Sequence, residues 1–263
     1  MTLRAQRLSF GYDGVPVGIG LDLEVAEGEF VAIVGPNACG KSTLLRSMSR
    51  LLSPVDGMVV LDGVDIATRP SKVVARRLGL LPQTSIAPDG ITVMDLVARG
   101  RFPHQSAFRQ WSRDDEAAVM AAMQTTGVTD LAGRLVDSLS GGQRQRVWVA
   151  MVLAQETDLL LLDEPTTFLD IAHQIELMEL LTRLHAGGRT VVTVLHDLNQ
   201  AARYASRIVA LREGAIVAEG APGDVLTAEV VEKVFDLPCR VIEDPVSGAP
   251  LVLPLGSRSG RTR

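Results

Sequence analysis

Apolar positions in the first third of the chain come in short or alternating runs, which is the pattern of β-strands. Such runs occupy residues 3–12, 19–25 and 29–35, with glycine and aspartate between them. Residues 41–52 then show helical spacing, and we expect this helix to end at Ser53-Pro54 because proline cannot continue a helix. The pattern predicts a β-rich subdomain at the start of the fold.

After two further strand candidates, at residues 58–63 and 77–83, the spacing of apolar residues becomes helical. Apolar residues recur at this spacing through residues 91–139, with Pro103 as an interruption. We interpret the stretch as a compact helical insertion.

From residue 142 onward, predicted helices alternate with predicted strands. The helices cover about 142–155, 173–188 and 198–206, and the strands cover 158–163 and 189–195. Strands that alternate with helices indicate a mostly parallel sheet covered by helices. A hairpin, a short helix at 228–235 and two terminal strands complete the predicted α/β fold as far as Pro254.

Length and composition are typical of a globular chain that does not cross a membrane itself. Its 263 residues are 46% hydrophobic, which is enough for one core with or without a small appended subdomain. The apolar stretches at 147–154 and 159–162 are far shorter than the roughly 18 to 20 residues that a bilayer crossing needs. The first residues lack the apolar run and cleavage site of a secretory signal, which predicts a cytoplasmic location.

Charge and cysteine content narrow the class of protein further. A formal charge of −5 and a pI near 5.4 argue against a nucleic-acid partner. Cys39 and Cys239 are not spaced as a metal or redox pair, as expected in a reducing compartment. Residues 256–263, rich in glycine, serine and arginine, are predicted to form a disordered tail.

A glycine-rich segment between a predicted strand and a predicted helix matches the phosphate-binding P-loop. Its residues are Gly35, Pro36, Asn37, Ala38, Cys39, Gly40, Lys41 and Ser42, and Thr43 is predicted to bind phosphate with them. Glycines let backbone N–H groups point inward at phosphate oxygens, and the following helix adds the positive end of its dipole. Lys41 would reach the β- and γ-phosphates, and the Ser42 hydroxyl would coordinate Mg²⁺. A glycine-rich turn with a surface lysine is the alternative, and the strand and helix around the segment favour nucleotide binding.

Two acids, Asp163 and Glu164, end the apolar run 159–162, where a central strand would deliver side chains to the edge of a sheet. Because successive strand residues point to opposite sides, we expect the two acids to do different work. Asp163 would support Mg²⁺, and Glu164 would polarise the water that attacks the γ-phosphate. In isolation the pair would be interpreted as a solvated strand end or a helix cap before Pro165.

Between the P-loop and these acids lies Leu139-Ser140-Gly141-Gly142-Gln143, which resembles the signature motif of ATP-binding cassette (ABC) ATPases. The resemblance extends over nearly the whole chain and implies ATP and Mg²⁺ as cofactors. It also implies a P-loop NTPase (RecA-like) core with a mostly parallel sheet, an N-terminal antiparallel β-subdomain and an inserted α-helical signature subdomain.

The resemblance implies one ABC ATPase domain over residues 1–255. The predicted parts are a catalytic core with its β-subdomain at 1–90 and 148–222, the signature subdomain at 91–147, and a small extension at 223–255.

Four further residues take roles only through this resemblance. Gln83 looks like the Q-loop glutamine, expected near the metal and the reacting phosphate, and His196 looks like the switch histidine that contacts the γ-phosphate. Asp170 corresponds to the D-loop, and Tyr12 to an aromatic residue that stacks on adenine. The alternatives are a polar loop residue for Gln83, a core or capping histidine for His196, a helix N-cap for Asp170 and a half-buried strand tyrosine for Tyr12.

In the family, the signature motif completes the nucleotide site of a second cassette, so the resemblance implies a head-to-tail homodimer. Ser140, Gly141, Gly142 and Gln143 would face the γ-phosphate held by the partner's P-loop. Ala38 departs from relatives that carry glycine there, and alanine would cost about 1 kcal/mol if the position requires a positive φ.

The most similar subgroup comprises ATPases of iron–siderophore importers, with vitamin B12 and haem importers as close kin. The similarity lies in residues 97–104, 145–157, 164–181, 195–222 and 241–254. It implies two transmembrane permease subunits, docked near residues 83–104 at the cytoplasmic face of the membrane, and an indirect substrate-binding partner. An exporter motor, a soluble ABC ATPase outside transport, and a loop of ordinary basic residues at 99–104 remain as alternatives.

Overall fold

The computed structural model describes residues 1–84, 86–105, 111–167 and 169–256. In chain order the strands are β1 (Leu3–Tyr12), β2 (Val15–Val25), β3 (Phe30–Val34), β4 (Asp56–Leu61), β5 (Val64–Asp65), β6 (Leu78–Leu81), β7 (Leu159–Asp163), β8 (Thr190–Val194), β9 (Arg207–Arg212), β10 (Ala215–Gly220), β11 (Cys239–Glu243) and β12 (Pro250–Pro254). The α-helices are α1 (Lys41–Met48), α2 (Ser71–Ala75), α3 (Val93–Ala98), α4 (Arg113–Thr125), α5 (Gly141–Ala154), α6 (Ile171–Ala186), α7 (Leu198–Tyr204), α8 (Pro222–Val225) and α9 (Ala228–Phe235). Short 3₁₀ helices lie at Ile66–Thr68, Arg99–His104, Thr129–Leu131 and Val136–Ser138.

The chain divides into two compact units. Unit I comprises Met1–Thr2, Ala26–Gly28 and Val60–Val192, and unit II comprises Leu3–Val25, Glu29–Val59 and the residues from Thr193 onward. In the part of the chain that the structure describes, no helix has both the length and the apolar character of a bilayer-spanning segment.

Unit II is built on antiparallel and parallel pairs of strands. β1 and β2 pair antiparallel with several register shifts, and β9 and β10 form a hairpin that turns at Glu213 and Gly214, both with positive φ. β3 pairs parallel with β9, Val31 opposite Arg207, and every residue of β3 is buried. A strand buried on both faces and flanked by strands is suited to deliver the loop that follows it at a fixed position.

Unit I holds the parallel pair β6 and β7, with Leu78 opposite Leu159 and Leu81 opposite Leu162. All five residues of β7 are buried. Helices α3 and α4 pack on α5, and α4 begins with a reciprocal cap in which Ser112 and Asp115 bond each other's backbone N–H. The predicted α/β class, with parallel strand pairs beside an antiparallel N-terminal pair, is confirmed.

Several predicted helix bounds need correction, among them the ends of α6, at Ala186 rather than 188, and of α7, at Tyr204 rather than 206. α1 ends at Met48 rather than at residue 52, because Arg50 adopts a left-handed φ of 65° and the N–H groups of Leu51 and Leu52 turn back to the Arg46 carbonyl. α6 begins at Ile171, two residues before the predicted start. The short elements α2, α8 and β5 were not predicted, since too few residues carry their periodicity.

The 3₁₀ helix at Arg99–His104 shows that the alternative of a loop with ordinary basic residues is wrong for Arg101. The Arg101 side chain is buried in unit I: its Nε donates to Asp115 Oδ1 at 2.9 Å, and its Nη1 donates to the Ala154 carbonyl and to Glu156 Oε2, each at 2.7 Å. The predicted tail lies outside the described residues except for Gly256.

Candidate functional site

The predicted P-loop lies in unit II, between the buried strand β3 and the first residue of α1, Lys41. Its glycines allow close backbone approach. A Cβ at Gly35 would lie 2.3 Å from the Leu211 carbonyl oxygen, and Gly40 has a φ of 103° with Phe10 and Val17 packed against it. Only glycine fits both positions without displacement of neighbouring atoms.

The Lys41 ammonium lies inside this loop. Nζ donates at 2.8 Å to the carbonyl oxygens of both Gly35 and Pro36, and the side chain is 4% exposed. A buried cation held by neutral carbonyls at the start of a helix favours an anion nearby, because the helix N-terminus adds positive potential.

Ala38 adopts a φ of 61°, which is the positive φ at which alanine is less stable than glycine. An L-residue in this region is strained by about 1–2 kcal/mol. The neighbouring Cys39 is buried, and burial raises the pKa of its thiol although Lys41 acts in the opposite direction. The thiol therefore stays protonated near neutral pH and packs as a small apolar group.

Two other predicted residues of unit II are solvent-accessible. The Tyr12 side chain, at the end of β1, is 44% exposed, and its hydroxyl accepts a hydrogen bond from Arg46 Nη1 at 3.1 Å. His196 follows β8 and is exposed, so the alternative of a core histidine is wrong. The N-cap of α7 is the adjacent Asp197, which accepts the N–H groups of Asn199 and Gln200.

In unit I, the ends of β6 and β7 bring Gln83 and Glu164 together. The parallel register pairs Leu81 of β6 with Leu162 of β7, so the residues two positions after each of them meet just beyond the ends of the two strands. Gln83 Nε2 donates to Glu164 Oε2 at 2.8 Å, and the Thr167 hydroxyl donates to the same oxygen at 3.2 Å. Sequence reasoning did not identify Thr167, although its position three residues after the acid is typical of a turn partner.

Asp163 and Glu164 differ in their surroundings, but for a reason that the sequence pattern did not indicate. Asp163 is the last residue of β7 and is 1% exposed. Glu164 lies beyond the strand with a φ of 51°, so the prediction that strand alternation separates the two acids is wrong. The left-handed backbone turns Glu164 aside, and such strain in a non-glycine residue often accompanies function.

No cluster of three or more histidine, cysteine or acidic side chains that could hold a metal exists among the described residues.

The predicted signature segment begins α5 in unit I. Ser140 is the N-cap: its hydroxyl accepts the Gln143 N–H at 3.3 Å, and Gln143 Oε1 accepts the Ser140 N–H at 3.2 Å. Ser140 and Gly141 are exposed. The Gln143 side chain is thus engaged in capping its own helix, while the first turn of α5 stays open to solvent.

Asp170 is the N-cap of α6, so this alternative from the sequence is confirmed. Its carboxylate accepts the His173 N–H at 2.9 Å and lies 2.8 Å from His173 Nδ1. The backbone N–H of His173, followed by its ring, lowers the pKa of Asp170 below its usual range. His173 was not predicted as a site residue. Its position three residues after an N-cap candidate, where side chains meet on a helix, is the signal that could have identified it.

The chain belongs to the ABC transporter family, whose model matches residues 19–167. The sequence-based resemblance to ABC ATPases is thereby confirmed.

Among individual proteins, the chain is 58% identical over 261 residues to the ferric enterobactin transport ATP-binding protein FepC of Escherichia coli (strain K12), covering 99% of this chain and 96% of that protein. A solved structure of a candidate metal-chelate type ABC transporter in an inward-facing conformation matches with a TM-score of 0.83 and 31% identity, covering 97% of each chain. A dimeric ATP-binding cassette in a post-hydrolysis state, bound to ADP and Pi, matches with a TM-score of 0.74 and 28% identity, covering 83% of this chain and 98% of that one.

Proposed function

We propose that this chain is the ATP-hydrolysing subunit of a bacterial importer of ferric siderophores. The observation that carries the proposal is the 58% identity to a ferric enterobactin transport subunit, which covers 99% of this chain. The P-loop of unit II and the Glu164 cluster of unit I support the ATPase activity.

The P-loop would bind the triphosphate. Lys41 is already desolvated and oriented by the Gly35 and Pro36 carbonyls, so little side-chain entropy is lost when a phosphate approaches. Backbone N–H groups at the start of α1 add further donors. Tyr12, exposed at the end of β1, would stack on the adenine ring.

Glu164 would orient the attacking water, and its bonds from Gln83 and Thr167 fix the carboxylate in one rotamer. Mg²⁺, when bound, supplies charge neutralisation at the phosphates. The Ser42 hydroxyl and the buried Asp163 carboxylate are hard oxygen donors that fit this ion. His196, exposed after β8, would contact the γ-phosphate.

The proposed assembly contains two copies of this chain and two permease subunits at the cytoplasmic face of the membrane, served by a substrate-binding protein. The exposed first turn of α5 supports a head-to-tail arrangement, because its N–H groups and helix dipole suit the phosphate held by a second copy.

The catalytic part of the proposal is tested with two variants of the full chain. Lys41→Ala should abolish ATP binding, whereas Glu164→Gln should bind ATP, accumulate an ATP-bound dimer and stop turnover. Lys233→Ala and Glu213→Gln are matched controls, since Glu213 shares the left-handed backbone of Glu164 but lies in the β9–β10 turn. ATPase rate and dimer fraction are measured, and undiminished hydrolysis in Glu164→Gln would contradict the role of Glu164.

The cargo is tested by deletion of the gene and uptake of radiolabelled iron chelates. We expect loss of ferric siderophore uptake, restored by the wild-type gene and not by Glu164→Gln. Loss of cobalamin or haem uptake instead would identify one of the related importers, and unchanged uptake with impaired efflux would identify an exporter.

A further inference from the structure

His173 lies on the first turn of α6, with its ring against the carboxylate of Asp170. Asp170 Oδ1 accepts the His173 backbone N–H at 2.9 Å, and Oδ2 lies 2.8 Å from Nδ1 of the ring. Because a carboxylate only accepts hydrogen bonds, Nδ1 must carry a proton in this contact. The acid therefore sets both the tautomer and the orientation of the ring.

The same ring also lies against the first turn of α5. A Cβ built on Gly142 would lie 3.2 Å from both Cδ2 and Cγ of His173 and 3.4 Å from Nδ1. These distances are shorter than a comfortable carbon–carbon contact. Glycine at position 142 is what allows the imidazole to approach the backbone of α5.

A second contact joins the same two helices one turn further along. Arg146, four residues after Gly142, lies 3.2 Å through Nη1 from Oε2 of Glu176, which follows His173 by three residues. These two side chains are 30% and 55% exposed, so their ion pair adds little energy. It nevertheless shows that α5 and α6 contact each other in their first turns, through Gly142 and His173, and again in their second turns, through Arg146 and Glu176.

We propose that His173 is a positioning residue that couples the Asp170 carboxylate to the first turn of α5. The proposal rests on the proposed function, in which that turn contacts ATP held by a second copy of the chain. A displacement of Asp170 would be transmitted through one imidazole to the first turn of α5. His173 thereby controls the productive geometry of the dimer and not the binding of ATP by its own P-loop.

The contact is tested first without nucleotide, by a double-mutant cycle on thermal unfolding. With His173 present, Gly142→Ala requires the ring to shift by a few tenths of an ångström, which offsets the helix propensity that alanine adds. In a His173→Ala background the added methyl group has room, so the same substitution should change Tm by about 2–4 °C more favourably than it does with His173 present. Additive shifts would overturn the contact, and this result does not depend on any activity.

The role is tested by steady-state ATPase assays of the full chain assembled with its permeases. His173→Ala should lower kcat about tenfold and leave KM for ATP within about twofold, because the P-loop is unchanged. His173→Asn, which keeps a donor near the position of Nδ1, should recover most of the lost rate. His173→Phe, which keeps a ring without the donor, should not.

His185→Ala is the matched control, since His185 lies on the last turn of the same helix and its Nε2 hydrogen-bonds with the Gly28 carbonyl oxygen at 2.8 Å, away from Asp170 and Gly142. Its kcat should equal that of the wild type. Equal losses in both histidine variants, or full activity of His173→Phe, would overturn the coupling. A wild-type protein without ATPase activity would overturn the proposed function and with it this role, whereas a contradicted role in an active enzyme leaves the proposed function standing.

Discussion

Replacement of Arg101 by methionine is expected to destabilise unit I strongly. The Arg101 and Asp115 side chains are 5% and 4% exposed, and Nε of Arg101 donates to Asp115 Oδ1 at 2.9 Å. Methionine would retain much of the side-chain volume but no donor. Asp115 would then be a buried carboxylate whose remaining bonds come from the N–H and hydroxyl of Ser112.

The expected magnitude follows from these contacts. Loss of one partner from a buried ion pair typically costs about 3–5 kcal/mol, because the other charge stays desolvated. The bond from Arg101 to Glu156 adds little, since the Glu156 side chain is 56% exposed. For a chain of this size, a loss of that order lowers Tm by about 10 °C.

Thermal unfolding followed by circular dichroism measures the effect, with Arg113→Met as the control because Arg113 is exposed on the first turn of α4. The double variant Arg101→Met/Asp115→Asn removes the orphaned charge and should recover more than half of the lost Tm. A Tm of Arg101→Met within about 1 °C of Arg113→Met would refute the reasoning, since desolvation would then cancel the whole benefit of the pair.

Three further predictions concern single positions. Ala38→Gly relieves the strain of a φ of 61° but adds freedom to the unfolded chain, so we expect the free energy of unfolding to rise by up to about 1 kcal/mol in denaturant titration, and a fall would contradict the strain argument. Gly100→Ala would place a Cβ 2.1 Å from the Met151 carbonyl oxygen and should lower Tm by several degrees, whereas Gly133→Ala, with no atom within 4 Å, should leave it nearly unchanged. Burial acts to raise the pKa of Asp115, but hydrogen bonds from Ser112 and Arg101 outweigh burial, and the pKa is lowered. The Asp115 carboxylate therefore stabilises the fold above its unfolded pKa of about 3.9, and this stabilisation is lost as pH falls below that value. Asp115→Asn should flatten the dependence of Tm on pH between about 5 and 3.

Several features could be predicted from the sequence because they depend on neighbouring residues. The glycines around Lys41 require backbone geometry that few other residues adopt, so the loop was recognisable without any tertiary contact. Helix α9 was predicted at its observed bounds, since its apolar positions recur at helical spacing and Thr227 supplies the cap. The N-cap role of Asp170 could also be predicted, as an alternative, because a cap depends only on the residues next to it along the chain.

Other features could not be predicted, because they join residues that are distant along the chain. Gln83 and Glu164 are 81 residues apart, and their bond depends on the register of β6 against β7. The burial of Arg101 depends on contacts with α4 and with the end of α5, and a basic residue in a short segment is usually exposed.

By itself, the sequence determined the class of fold and the phosphate-binding loop, because each is encoded in backbone requirements and periodicity over short stretches, and the resemblance of residues 139–143 to the signature motif indicated the ABC family. The tertiary structure decided how side chains are used: Glu164 turned aside by a left-handed backbone, Gln143 engaged in its own helix cap, and His173 set between Asp170 and Gly142. The physical reason is that these arrangements come from strand register and helix packing, which local sequence patterns do not specify.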